Sequence, residues 1–491
     1  MFKHAQLETV KAWMMDPANG SLPLHERIQR AIRALILEGI LSHGKALPAS
    51  RALAISLNVS RDTIEAAYTR LHAEGFIERH TGKGSFVSAS ARFLKSHSRQ
   101  RQSAAEVREP TLSARGNVMY KSGGIREFSS PRPLAPGIPE TRLFPVQTWE
   151  RLERQVLKEY RHRALEQSPP QGTERLRRAI AEYVNLERGA HATPERIIIL
   201  TSSQQALALC SHVLMDSGDA IVIEDPTYQG AQKAFKAAGL NSLPVPLDEK
   251  GLCIESLNAL TAPAKAIYLT PSHQYPTGVT LSLDRRLAVI DWANRHQAWI
   301  IEDDYDSEFR FSGKPIPTLF SIDGGVKVIY LNTFSKSLTP TIRISYMILP
   351  EDLARLFHEK LSFLSCTVSN FEQYTLAAFI NKGYFDKHLN RMKNIYRKKR
   401  DFLIDRIRRS DFFKNCEISG EESGLHFLVK VDTALSDTEI IKYFADRRIK
   451  LDCLSGFYKE KKESVDHTLI FNYAGSRADQ IEKAFNNFDD K

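Results

Sequence analysis

The chain has 491 residues, 42% hydrophobic and 26% charged, a globular balance whose length predicts roughly two to four domains. It shows no run of about 20 apolar residues and no leader with a small-residue cleavage site, so neither export nor membrane spanning is expected. Its five scattered cysteines lack a CxxC pair, which argues against a zinc centre or disulfide framework and for a reducing, cytoplasmic setting. The net charge of +10 is uneven: residues 1–126 carry 19 Lys and Arg against 10 Asp and Glu, the other 365 carry 49 against 48. Such a basic end suits an anionic partner.

PLHERIQRAIRALILEGIL (23–41) has apolar residues at i, i+3 and i+4 behind an opening proline and predicts an amphipathic helix. Two shorter helices are expected from Ser50 (SRALAISL) and Ser60 (SRDTIEAAYTRLHAEG), with serine as N-cap, Gly75 as a stop and only NVS between them. Burying Ile64, Ala67, Tyr68 and Leu71 leaves Arg61, Thr63 and Arg70 facing outward. Helix, tight turn and polar-faced second helix form the helix-turn-helix arrangement, whose second helix enters the major groove. FIERHTGKGSFV (76–87) predicts two short strands around a basic tip, a β-wing. The stretch LPASRALAISLNVSRDTIEAAYTRLHAEGFIERHTGKGSFV resembles the winged-helix domain of GntR-family bacterial transcription regulators. The resemblance implies that Ser50, Arg51, Ser60, Arg61, Thr63, Arg70, Lys83 and Gly84 contact double-stranded operator DNA.

The winged helix-turn-helix is thus expected over residues 20–88, followed by a basic flexible linker over 89–126, which lacks apolar periodicity. From 127 to 491, strand-like runs alternate with helical ones, predicting an α/β domain. Five strands end in polar clusters: RIIILTSS, AIVIEDPTY, AIYLTPSHQYPTG, WIIEDDYDSEF and VIYLNTFSK. In open α/β sheets ligands bind at the carboxyl ends of strands, so these clusters are expected at one site. Ser202, Ser203 and Gln204 begin a helix and suit a phosphate; Thr333, Ser335 and Arg343 add hydroxyls and a cation. Asp303 and Tyr305, two apart on an extended segment and about 7 Å from one another, suit opposite flanks of a planar ring on which Tyr228 stacks. Lys336 supplies an amine. Phosphate, an aromatic ring with a basic nitrogen and a carbonyl that takes a lysine together describe pyridoxal 5′-phosphate; no metal is expected.

PQGTERLRRAIAEYV, EDPTY, PSHQYPTG, DDYDSEF and TFSKSLTPTIRISY are similar, in order, to segments of fold-type I aminotransferases. The resemblance implies that Lys336 is the Schiff-base lysine, Asp303 pairs with the pyridine nitrogen, Tyr305 meets the ring hydroxyl, and Arg343, Thr333 and Ser203 hold phosphate. A GntR reader fused to such a domain resembles the MocR/GabR subfamily. That implies a domain-swapped homodimer sensing an amine, an amino acid or vitamin B6 through exchange at the Lys336 aldimine. A dedicated catalytic role is not expected beyond a residual aminotransferase half-reaction; the alternative is a genuine aminotransferase with an appended DNA-binding domain. Two departures stand out: Tyr275 replaces the usual Asn before the PTG turn, and Ile470 replaces the carboxylate-binding Arg, with Arg477 as a candidate substitute.

Overall fold

The computed structural model describes residues 4–16, 20–90, 111–124, 133–312, 317–360, 364, 367–460 and 467–489. The chain divides into two compact units, Met1–Thr111 and Leu112–Lys491. In the first, helices α1 (His4–Met15), α2 (Leu24–Leu37), α3 (Ser50–Leu57) and α4 (Arg61–Ala73) precede a hairpin of β1 (Ile77–His80) and β2 (Gly84–Val87). The expected stripes make the core: Ile28, Ile32 and Leu35 of α2 are buried with Ile64, Ala67, Tyr68 and Leu71 of α4. Asn58 ends α3 in the left-handed region at φ 53°, which Asn tolerates. The Ser60 hydroxyl starts α4 by accepting from the Thr63 N–H at 3.1 Å. Tyr68 reaches across to donate its hydroxyl to the Pro48 carbonyl at 2.8 Å, fixing the lead into α3 against α4. Helix α1, absent from the sequence reading, adds the buried Val10 to this core.

Of the expected linker, residues 91–110 and 125–126 lie outside the described residues. Ala114–Ser122 is a helix with the Ser113 hydroxyl accepting from the Gly116 N–H at 3.0 Å. The sequence reading placed no element within the expected linker. The helix buries none of its residues, so it carries no apolar period to detect. It belongs to the second unit, where it lies against the helix Gln229–Ala238, and Lys233 donates to the nearby Gly124 carbonyl at 2.7 Å.

The second unit is built on eight strands: β3 (Ile197–Leu200), β4 (Ala220–Asp225), β5 (Asn241–Asp248), β6 (Gly251–Leu252), β7 (Ala264–Leu269), β8 (Trp299–Asp303), β9 (Val328–Thr333) and β10 (Ser345–Ile348). Their order is β3-β10-β9-β8-β7-β4-β5-β6. Strands β4, β5, β7, β8 and β9 are mutually parallel. Because β10 runs antiparallel to both β9 and β3, β3 points the same way as the parallel set. All five strands read from the sequence therefore end at one edge. Their apolar runs are continuous because both faces are covered; β3, for example, is buried at every residue. A smaller antiparallel sheet follows, of β11 (Glu417–Ser419), β12 (His426–Lys430), β13 (Asp452–Cys453) and β14 (Thr468–Asn472), in the order β11-β12-β14-β13. The architecture is a winged helix-turn-helix plus an α/β domain. Cys210, Cys253, Cys416 and Cys453 are free thiols, and among the described residues no helix is long and apolar enough to cross a membrane.

Candidate functional site

The register of β10 assembles the site. Ser345 pairs with Leu200 on one side and Thr333 on the other, so three segments meet around it: Thr201-Ser202-Ser203 leaving β3, Phe334-Ser335-Lys336 leaving β9, and Arg343-Ile344 entering β10. The Ser202 hydroxyl accepts from the Gln205 N–H at 3.2 Å, capping the helix Ser203–Leu214 and leaving the Ser203 and Gln204 amides at its positive end. The Gln204 side-chain nitrogen is buried without a hydrogen-bond partner among the described residues. Arg343, exposed and at φ 50°, forms no ion pair among the described residues. Thr333 is differently employed: its hydroxyl accepts from the Ser335 N–H at 3.1 Å and the Ser345 hydroxyl at 2.8 Å. It shapes the turn that carries Lys336.

Asp303 ends β8 one strand away. Its Oδ2 accepts from the Tyr268 hydroxyl at 2.9 Å, while Oδ1 is buried with no hydrogen-bond partner among the described residues. Burial pushes this carboxyl up to about 7; the Tyr268 hydroxyl and the Lys336 charge oppose that rise, and Asp304 and Asp306 reinforce it. A carboxyl raised on folding holds its proton longer in the folded chain, so its contribution to stability is lost as pH rises from 3.8 towards 7. The thermal midpoint of cofactor-free protein should fall across that window, and Asp303→Asn should flatten part of the fall. Glu224 and Glu302, also raised to about 7 by burial, account for more of it. A profile unchanged by Asp303→Asn would mean that Asp303 ionises like an ordinary carboxylate. Asp304, facing the other way, is a structural group: it accepts from Arg188 at 2.6 Å, Tyr330 at 2.6 Å and Ser307 at 2.8 Å, and its carboxyl is held down by Arg188.

Lys336 donates to the Gly137 carbonyl at 2.6 Å. A Cβ on Gly137, at φ 73°, would fall 2.9 Å from that amine, so glycine permits the approach. The Tyr305 hydroxyl lies 3.0 Å from His273 Nδ1, and both Asp306 oxygens lie 3.0 Å from the same nitrogen. With the proton on Nδ1 pointing to Asp306, the Tyr305 hydroxyl keeps its own proton for a ligand. Tyr275 is the hub of the aromatic wall, its ring edge-on to Tyr228 at 5.8 Å, Tyr305 at 5.9 Å, His426 at 5.1 Å and Phe457 at 5.7 Å. The segment carrying Phe457 is pinned beside Tyr228: its carbonyl accepts from the Thr227 N–H and from Gln232. The sequence reading missed Gly137, Tyr268, His273, Asp306 and His426. The run AIYLTPSHQYPTG contained Tyr268 and His273, but no spacing singled either out.

On the first unit, Arg51 and Arg61 are exposed at the starts of α3 and α4, and Lys83 and Gly84 at the wing; Ser50 is half-buried. Ser60 and Thr63 hydrogen-bond one another at 2.8 Å, so their hydroxyls serve the cap. Arg70, expected to point freely outward, is tied to Glu26 of α2 at 2.6 Å. Arg70→Ala should therefore lower the thermal midpoint slightly and leave operator affinity near wild type. A loss as large as that of an Arg61 variant, measured by fluorescence anisotropy, would return Arg70 to the interface.

Residues 139–486 match the family model of aminotransferase class I and II, and residues 24–87 that of bacterial regulatory proteins of the gntR family. The chain is 34% identical over 454 residues to the HTH-type transcriptional regulator YdeL of Bacillus subtilis, covering 92% of this chain and 93% of that protein. It is 33% identical over 463 residues to the probable rhizopine catabolism regulatory protein MocR of Rhizobium meliloti, covering 93% and 91%. This chain belongs to the MocR-like, GntR-type transcription regulators that carry an aminotransferase class I/II domain. Among solved structures, a multiple substrate aminotransferase from Thermococcus profundus aligns with a TM-score of 0.66 at 26% identity, over 77% of this chain and 94% of that one. In this regulator Ile470 is buried within β14, 1% exposed. Arg477, the candidate substitute, is exposed and holds Asp479 through two bonds of 2.7 and 2.8 Å.

Proposed function

We propose that this regulator binds pyridoxal 5′-phosphate at the carboxyl edge of the large sheet and that ligand exchange at Lys336 alters its grip on operator DNA. The observation that carries this reading is the bare, buried Asp303 Oδ1 at the end of β8, with the Lys336 amine just past the end of neighbouring β9. A protonated ring nitrogen would satisfy that oxygen, and a buried cation against a carboxylate is far better than either alone. Ser203, Gln204, Ser335 and Arg343 would take the phosphate, Tyr305 the ring hydroxyl, and Tyr228 a ring face. When bound, the cofactor supplies a carbonyl able to condense with amines and an electron-withdrawing ring. The chain supplies the amine, the counter-charge and the aromatic enclosure.

The regulator would act in the cytoplasm on double-stranded operator DNA, as a homodimer in which readers are exchanged between chains. An amine, amino acid or B6 vitamer would bias the dimer between two arrangements. Turnover as a dedicated aminotransferase is disfavoured by Ile470 in place of a carboxylate-binding guanidinium. The deciding experiment follows visible absorbance and anisotropy of labelled upstream DNA in one titration with amines. Both signals should move at the same ligand concentration. DNA binding indifferent to a spectral change would detach the site from regulation, and sustained keto-acid production would favour the enzyme.

A further inference from the structure

The wall beside the Lys336 amine narrows what can meet it. Cross-strand partners in an antiparallel sheet send side chains to the same face. The pairings Leu428–Ile470 and Asp452–Ile470, with His426–Asn472 two residues along, therefore place those five residues on one face of the small sheet. The alternate residues Phe427, Val429, Leu469 and Phe471 enter the main core. The first face meets the site: Ile470 and Leu428 cluster with Leu454 and Phe457, and Tyr275 packs against them.

Among the described residues none of those five is a cation, and Lys430, next on that face, is exposed at the far end of β12 from His426. Burial and the neighbouring His273 bring the His426 imidazole down to about 3, and its Nε2 lies 3.0 Å from the Pro276 carbonyl. Asp452 is itself acidic. Arg142 and Lys399, which reach the carbonyls of Gly475 and Ala474 just beyond β14, are both held by Glu140. A carboxylate withdrawn from water against this wall loses hydration and meets no counter-charge, whereas an apolar or aromatic body gains by the transfer.

We infer that the ligand admitted beside Lys336 is a primary amine with an apolar or aromatic body and no carboxylate on the amine-bearing carbon. The inference rests on the cofactor reading above and deepens it. The test uses purified full-length protein loaded with pyridoxal 5′-phosphate and two matched pairs, phenethylamine against L-phenylalanine and butylamine against L-norvaline. Within each pair the compounds differ by the carboxylate alone. Each amine should shift the visible absorbance at a concentration about tenfold or more below that of its amino acid. Ile470→Arg, which puts a guanidinium on the wall, should narrow or reverse that ratio.

Amino acids as potent as the amines, or neither acting while the visible band is present, overturns the inference and leaves the cofactor reading standing. A protein that takes up no cofactor overturns the reading beneath it. The wild-type comparison decides the matter even where Ile470→Arg fails to fold. A folded Ile470→Arg with an unchanged ratio also counts against it.

Discussion

Lys336→Ala should abolish the visible absorption band of the loaded regulator and the borohydride-fixed label with it, because no other amine is placed where Lys336 is. The side chain is only partly buried and donates to the Gly137 carbonyl, so its loss should change unfolding free energy by about 1 kcal/mol. Asp303 remains in the variant to pair with the ring nitrogen. Cofactor should still bind, weakly and reversibly, and wash out on dialysis where wild type retains it. A reducible band persisting at another lysine would move the anchor elsewhere and remove the reason for grouping Lys336 with Asp303.

On DNA, Arg61→Ala and Lys83→Ala should fail in different ways. Arg61 opens α4 and is exposed without an ion partner among the described residues, at the helix end expected nearest base edges. Its truncation should cost about 1–3 kcal/mol on the operator and much less on scrambled duplex. Lys83 lies on the wing, where its N–H donates to the His80 carbonyl at 3.0 Å and its charge is exposed. Lys83→Ala should weaken both duplexes alike and lower the salt slope by about one unit. A salt series of fluorescence anisotropy with both variants reads both effects. Loss of sequence preference in Lys83→Ala alone would reverse the two roles.

Legibility in the sequence followed the range of the interactions. Parallel strands buried on both faces are written as unbroken apolar runs, so five of the eight strands and the residues at their ends could be placed beforehand. The GntR-like helices were legible because one stripe faces the core and serine marks the start of α4. Strand β10 escaped because it lies inside a segment dominated by the lysine turn, although its register draws Leu200 and Thr333 together. Other contacts have no local signature: Gly137 meets Lys336 across 199 residues, Tyr268 meets Asp303 across 35, and Glu26 meets Arg70 across 44. Thr333 reads as a phosphate ligand from its place in the turn; that its hydroxyl oxygen also accepts from Ser335 and Ser345, leaving its own proton to donate, has no local signature.

The hydrogen bond from Lys336 to Gly137 makes one nitrogen answer to two claims. Were that amine condensed with a bound carbonyl it would have fewer protons to donate, and the Gly137 carbonyl would compete for them. That stretch of chain is otherwise fastened through Glu140, whose N–H donates to Tyr396 and whose carboxylate binds Arg142 and Lys399. In chain order it lies directly after the stretch that joins the DNA reader to the sheet. A change at the Lys336 amine would therefore be felt first in the backbone around Gly137.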